Sequence, residues 1–109
     1  MGTVISPDSR FEWDEDKNAL NKENHGFHFE EILGVFDDPF FLEAYDREHS
    51  TIDEIRMKGI ASFNRRIYFF ISYTEREERT RIISARLAGP LERERYDENY
   101  QEQILGYER

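Results

Sequence analysis

Ser84 and Arg86 stand two residues apart in a stretch, Thr80 to Ala88, that reads as a strand, so both side chains leave one face, with Ile82 below them. Arg81 and Ile83 point the other way if that strand is regular from its start. A guanidinium on a strand suits phosphate, because its planar fork donates in pairs and a strand holds a side chain more firmly than a loop does. Arginine is abundant here: ten basic residues lie between Arg56 and Arg95, and nine of them are Arg. The candidate for moving protons is His49, next to Ser50, since imidazole titrates near ~6.5 in model peptides. A surface arginine and a loop-capping histidine are the plain alternatives for Arg86 and His49.

Other chemistries find little support. His25 and His28 read as structural residues at a helix end and a helix start, and the histidines do not fall at zinc-ligand spacings. Cysteine is absent, which removes disulfides and thiolate metal sites, and no cofactor is expected. No apolar run approaches the ~18 residues of a membrane helix, and no signal peptide precedes the domain, so a cytoplasmic location is expected. The net charge of −9 is unevenly placed. Residues 1–55 carry a balance of −11 and residues 56–109 a balance of +2. The acidic half repels nucleic acid but suits a basic partner, and only the second half could face phosphate.

The 109 residues suit a single domain over residues 11–109, and aromatic residues, 15% of the chain, are enough to fill its core. Residues 1–10 show no period and read as a flexible segment. Phe11-Glu12-Trp13 alternates as a short strand, Asp14 is a helix cap, and Glu15 to Asn24 is a helix with a weak apolar stripe at Ala19 and Leu20. His25-Gly26 ends it. Phe29, Ile32, Leu33 and Phe36 predict a second helix, stopped at Asp37-Asp38-Pro39. The period then changes to two, with strands over Phe40 to Tyr45, Ile55 to Ser62, Arg66 to Thr74 and Thr80 to Ala88. Ile67 to Ile71 is apolar on both faces and belongs in the sheet centre. After Gly89-Pro90 a helix runs from Leu91 to Leu105, with Tyr96, Tyr100 and Ile104 on one side. The expected fold is α+β, with helices against a curved, mostly antiparallel sheet.

An ordered set of words in this chain resembles the BrnT family of toxins. They are Phe11-Glu12-Trp13-Asp14-Glu15 with Lys17-Asn18, His25-Gly26, Phe29-Glu30-Glu31, Val35-Phe36-Asp37-Asp38-Pro39 and His49-Ser50. Tyr73-Thr74-Glu75-Arg76, Arg81-Ile82-Ile83-Ser84-Ala85-Arg86 and Glu94-Arg95 with Tyr96 complete it. The resemblance implies a RelE-like fold, with two N-terminal helices and a C-terminal helix on a four-stranded sheet. It also implies metal-independent RNA endonuclease activity. The implied partner is a BrnA-like antitoxin, joined in a dimer-based complex that reaches DNA only through the antitoxin.

For such a reaction Arg86 is the first choice to clamp the scissile phosphate, with Ser84 as a supporting hydrogen bonder and His49 as acid or base. Arg66 falls where the family commonly has Arg and offers a second cation, or guards a strand edge. Glu54 is a base or a positioning partner for Arg66 or Arg86, or a solvated acid. Arg81, Arg65 and Arg56 are substrate-binding candidates, and Tyr73 either stacks on a base or fills the core. Some positions depart from the family's pattern. Ile55 stands where many members carry Arg, and Arg56 follows one residue later, on the opposite face unless a bulge restores it. Arg65 replaces a usual Gly, His28 a usual Ser, and Asn24 a usual Lys. The displaced Arg favours an alternative, a catalytically inactive module that binds antitoxin as a corepressor.

Overall fold

The structure, a computed structural model, describes residues 2–108. Strands β1 (Thr3–Ile5) and β2 (Phe11–Asp14) lead into helix α1 (Glu15–His25). Two 3₁₀ turns, Phe29–Glu31 and Leu33–Asp37, precede β3 (Leu42–Tyr45), β4 (Arg56–Phe63), β5 (Ile67–Arg76), β6 (Arg79–Leu87) and helix α2 (Pro90–Glu108). The strands form one six-stranded sheet in the order β1-β2-β6-β5-β4-β3. All neighbours are antiparallel except β2 and β6, which run parallel.

The α+β class and the central place of β5 agree with the sequence reading, while the counts differ. Six strands replace the expected four-stranded sheet, because Thr3–Ile5 pairs with β2 and β2 itself joins the sheet beside β6. The expected second helix is a pair of 3₁₀ turns. Phe29, Ile32 and Val35 are its buried residues, and their spacing of three is the eclipsed repeat of a 3₁₀ helix. The helical stripe shares Phe29 and Ile32 with this set but has Leu33 and Phe36, both only half-buried, in place of Val35.

α1 begins and ends as expected: the Asp14 carboxylate accepts from the Lys17 amide at 3.0 Å, and Gly26 closes the helix at φ 86°. Its inward face is not the one hydropathy suggested. Leu20 is 53% exposed, whereas Asn18 and Asn21 are buried. Asn21 donates to the Ala85 carbonyl at 2.9 Å and accepts from the Ala85 amide at 3.0 Å. It thereby pairs the edge of β6 beyond the three-residue ladder with β2, where a buried backbone would otherwise lack partners.

α1 and the 3₁₀ turns cover one face of the sheet, around Trp13, Phe29, Ile32, Phe69, Ile71 and Ile82. α2 covers part of the other, where Tyr96 and Tyr100 pack on Ile60, Tyr68 and Phe40. The Tyr96 hydroxyl donates to Asp38 at 2.6 Å, and Asp38 also accepts the Ser62 amide, so helix, turn and strand meet at one carboxylate. Gly59 on β4 lies directly under the Phe41 ring, and a methyl there would overlap it. Gly59→Ala is expected to destabilise the protein by about 1–3 kcal/mol, read as a lower urea midpoint, because the ring has to leave its tilted contact with Phe36 and its edge-to-face contact with Tyr73.

Candidate functional site

The strand pairing between β5 and β6 contains a bulge. Ser72 faces Ser84 and Tyr73 faces Ile82, so Ile83 is an extra residue. Its effect is to reverse the alternation. Ile82 and Ala85 both enter the core under α1, while Ser84 and Arg86 emerge on the opposite face. Ile82 is therefore not beneath Ser84 and Arg86, as a regular strand requires. Arg81, paired with Thr74, lies on their side of the sheet rather than across it.

Beyond α2 this second face is open, and a cleft of about 400 Å³ lies there. Asp46, His49, Arg56, Lys58, Ser84 and Arg86 line it, with Phe70 and Ile83 as apolar walls. Four residues singled out from the sequence, His49, Arg56, Ser84 and Arg86, thus meet in one place. Arg56 opens β4 opposite Thr74 and faces the cleft, while Ile55 precedes the strand and is 60% exposed. The one-residue displacement does not turn the guanidinium away.

His49 is brought to the cleft by the loop that joins β3 to β4. The Ser50 hydroxyl donates to the Asp46 carbonyl at 2.7 Å and accepts from the Arg56 amide at 2.8 Å, closing that loop. His49 Nδ1 lies 2.8 Å from the carboxylate of Asp46, a buried residue the sequence reading did not include. Burial works to raise the Asp46 pKa, but the hydrogen bond and charge of His49 prevail and hold it below the usual carboxylate range. An ionised carboxylate only accepts, so Nδ1 carries the proton and Nε2 is left to act. The spacing of Asp46 and His49, three residues apart in a polar turn, was the available signal.

Arg86 is held from several sides. Its Nη1 and Nη2 donate to the Glu92 carboxylate at 2.8 and 2.9 Å, and its guanidinium lies 4.3 Å from the Phe70 ring centroid. Glu92, in the first turn of α2, also accepts the Gly89 amide at 2.7 Å. The Arg86 hydrogen bond drives the Glu92 pKa down, and Glu92 in turn raises that of Arg86. Lys58, on the same face of β4 as Arg56, is a further cation of the cleft that the sequence reading passed over.

The remaining candidates lie elsewhere. Arg66 is in the β4–β5 turn, four residues and about 13 Å at ~3.3 Å per residue from Phe70, the strand partner of Arg86, and it lines a separate recess with Tyr68, Leu87 and Arg93. Arg65 occupies the same turn at φ 58° and stacks on Tyr100 at 4.2 Å, which explains why a Gly suits that position. Glu54 pairs with Arg56 at 2.8 Å and Arg76 at 3.0 Å, not with Arg66 or Arg86. Those hydrogen bonds hold its pKa below the usual range, so it orients Arg56 and makes a poor base. Arg81 is tied to Glu12 at 2.6 Å with its side chain only 17% exposed. Tyr73 is in the core at 2% exposure, its hydroxyl donating to Glu43, and cannot stack on a base. A larger recess along α2 is lined by Glu94, Asp97, Glu98 and Glu102 with Arg93 alone as cation, and it repels phosphate.

Asp46, Glu54 and Glu92 share one consequence. Each has a depressed pKa in the folded state, so each contributes stability above the ordinary carboxylate pKa near ~4 that is lost as pH falls through the folded value. The melting temperature is expected to fall as pH drops below the ordinary carboxylate range near ~4, and Glu54→Gln to flatten that fall, in melts recorded from neutral into acid.

Comparison with known proteins identifies the family and the fold. Residues 13–92 match the family model described as the ribonuclease toxin, BrnT, of type II toxin–antitoxin systems. No curated protein matches the chain. Among solved structures, the crystal structure of the Brucella abortus ribonuclease toxin BrnT is similar in fold, with a TM-score of 0.53 and 24% sequence identity. The match covers 71% of this chain and 92% of that one. With the matched segment spanning β2 to the first turn of α2, the chain belongs to the BrnT family of ribonuclease toxins.

Proposed function

We propose that this protein is a metal-independent RNA endonuclease, the toxin of a bacterial pair, acting in the cytoplasm until a BrnA-like antitoxin binds it. The observation that carries the reading is the cleft that gathers His49, already oriented by Asp46, with Arg56, Lys58, Ser84 and Arg86. RNA supplies its own nucleophile. His49 Nε2 takes the proton of a 2′-hydroxyl as its oxygen bonds to the adjacent phosphorus. Arg86 and Ser84 hold the non-bridging oxygens as charge develops on them. The bond from phosphorus to the 5′-oxygen breaks beside Arg56 and Lys58, that oxygen takes a proton from water, and the hydroxide left is neutralised by the proton that His49 gives back. The products are a 2′,3′-cyclic phosphate and a 5′-hydroxyl. The RelE-like character of the fold and a dimer-based complex with the antitoxin belong to this same proposal, with DNA reached only through the antitoxin.

A second reading is favoured by the pairing of the cations. Glu92 meets Arg86, Glu54 meets Arg56, and the chain carries −9 overall, all of which weaken attraction to RNA. In that reading the chain is a corepressor that binds antitoxin without cleaving. Expression from a tightly controlled promoter separates the readings. The ribonuclease stops growth, co-expressed antitoxin restores it, and Arg86→Ala is harmless; a corepressor leaves growth unchanged in every case.

A further inference from the structure

The hydrogen bonds of Arg86 fill only one edge of its guanidinium. Nη1 donates to Glu92 Oε1 and to the Leu87 carbonyl at 3.1 Å, and Nη2 donates to Glu92 Oε2. This is the end-on edge. Nε makes no hydrogen bond among the described residues, and Nη2 has a second hydrogen, which together make up the side-on edge of the fork. A carboxylate competing with phosphate for Arg86 has no need of further ties. Glu92 has one: the oxygen that meets Nη1 also accepts the Gly89 amide, joining the end of β6 to the first turn of α2. Phe70 lies against the guanidinium, and Glu92 sets its rotation about the side-chain axis.

We infer that Glu92 is the positioning residue for phosphate recognition: it grips Arg86 end-on, so that the Nε–Nη2 edge receives an RNA phosphate side-on. The inference rests on the reading of Arg86 as the phosphate clamp. A long, exposed arginine would lose its freedom when RNA binds, whereas one already held by Glu92 has lost it on folding and keeps a bidentate edge ready. The negative charge of Glu92 opposes RNA binding at the same time. Its removal therefore moves binding and turnover in different directions, which a merely structural residue does not do.

Glu92→Gln keeps the size of the side chain and an acceptor for Gly89 but places an amide against Nη2. It is expected to lower kcat for RNA cleavage about tenfold while lowering KM, with the thermal midpoint near that of the wild type. Unchanged or raised kcat with lower KM overturns the inference and makes Glu92 a competitor of phosphate. Arg86→Ala, run beside it, separates the two levels. If Arg86→Ala cleaves like the wild type, the clamp itself is wrong. If Arg86→Ala is silent while Glu92→Gln keeps full kcat, only the role of Glu92 is wrong. The Nε–H resonance of Arg86 gives a readout independent of turnover. Titration with an uncleavable 2′-deoxy oligonucleotide is expected to shift it in the wild type and to broaden it in Glu92→Gln. An Nε–H that ignores the oligonucleotide, in a protein whose binding requires Arg86, refutes side-on recognition.

Discussion

Arg86→Ala is expected to slow RNA cleavage by ~10²–10³-fold, the loss that follows removal of one positioned donor to a developing oxyanion. The fold is expected to survive. The ion pair with Glu92 is partly exposed, 41% and 25% at the two side chains, and such pairs contribute little to stability. Glu92 is not orphaned either, since it retains the Gly89 amide. The thermal midpoint is expected to move by no more than about 5 °C. Single-turnover cleavage and a melt on the same preparation check both halves. A variant that melts normally and cleaves normally removes Arg86 from the chemistry.

The second large effect is at His49. Its side chain is 61% exposed and packs little, so His49→Ala costs minor stability while general acid–base catalysis of ~10²–10⁴-fold disappears. Asp46→Asn leaves the imidazole in place but removes the carboxylate that fixes the proton on Nδ1, and its rate is expected between the wild type and His49→Ala. The two side chains act as a unit, so Asp46→Asn adds no further loss in the His49→Ala background. Full additivity of the two losses is the contrary result, and means that Asp46 serves the loop rather than the imidazole. Ser50 closes the loop on the Asp46 backbone at 2.7 Å, whereas the Asp46 side chain reaches the loop backbone only through the His49 amide at 3.4 Å.

The sheet was largely legible because its strands alternate strongly, and β5, apolar on both faces, had to be central. What escaped did so for identifiable reasons. The bulge at Ile83 inserts a single residue, and a regular reading carries every following side chain to the wrong face. The adjacent Ile82-Ile83 pair was its trace. Asn18 and Asn21 turn inward because they satisfy backbone groups, the Phe29 amide and both polar atoms of Ala85, and hydropathy does not register a need for hydrogen bonds. The 3₁₀ turns share apolar spacing with an α-helix over so short a stretch that the pattern alone does not separate them.

The site was legible in part. Ser84, Arg86, His49 and Arg56 came together because each carries chemistry in its side-chain type. Arg66, Arg65 and Tyr73 carried the same types, and only three-dimensional placement removes them. Asp46 and Glu92 were missed for the opposite reason. Acids are common in this chain, and nothing local distinguishes Glu92, six residues from Arg86 across Gly89-Pro90, from any solvated glutamate.

The most direct test of the central claim is cleavage of an end-labelled RNA by antitoxin-free protein in excess EDTA. The same RNA carrying a single 2′-deoxy residue at the cleaved position is run in parallel. The account predicts cleavage of the all-ribose strand to a 2′,3′-cyclic phosphate, undiminished by EDTA, and no cleavage at the substituted site. Cleavage that stops in EDTA, or that proceeds past the missing 2′-hydroxyl, contradicts it.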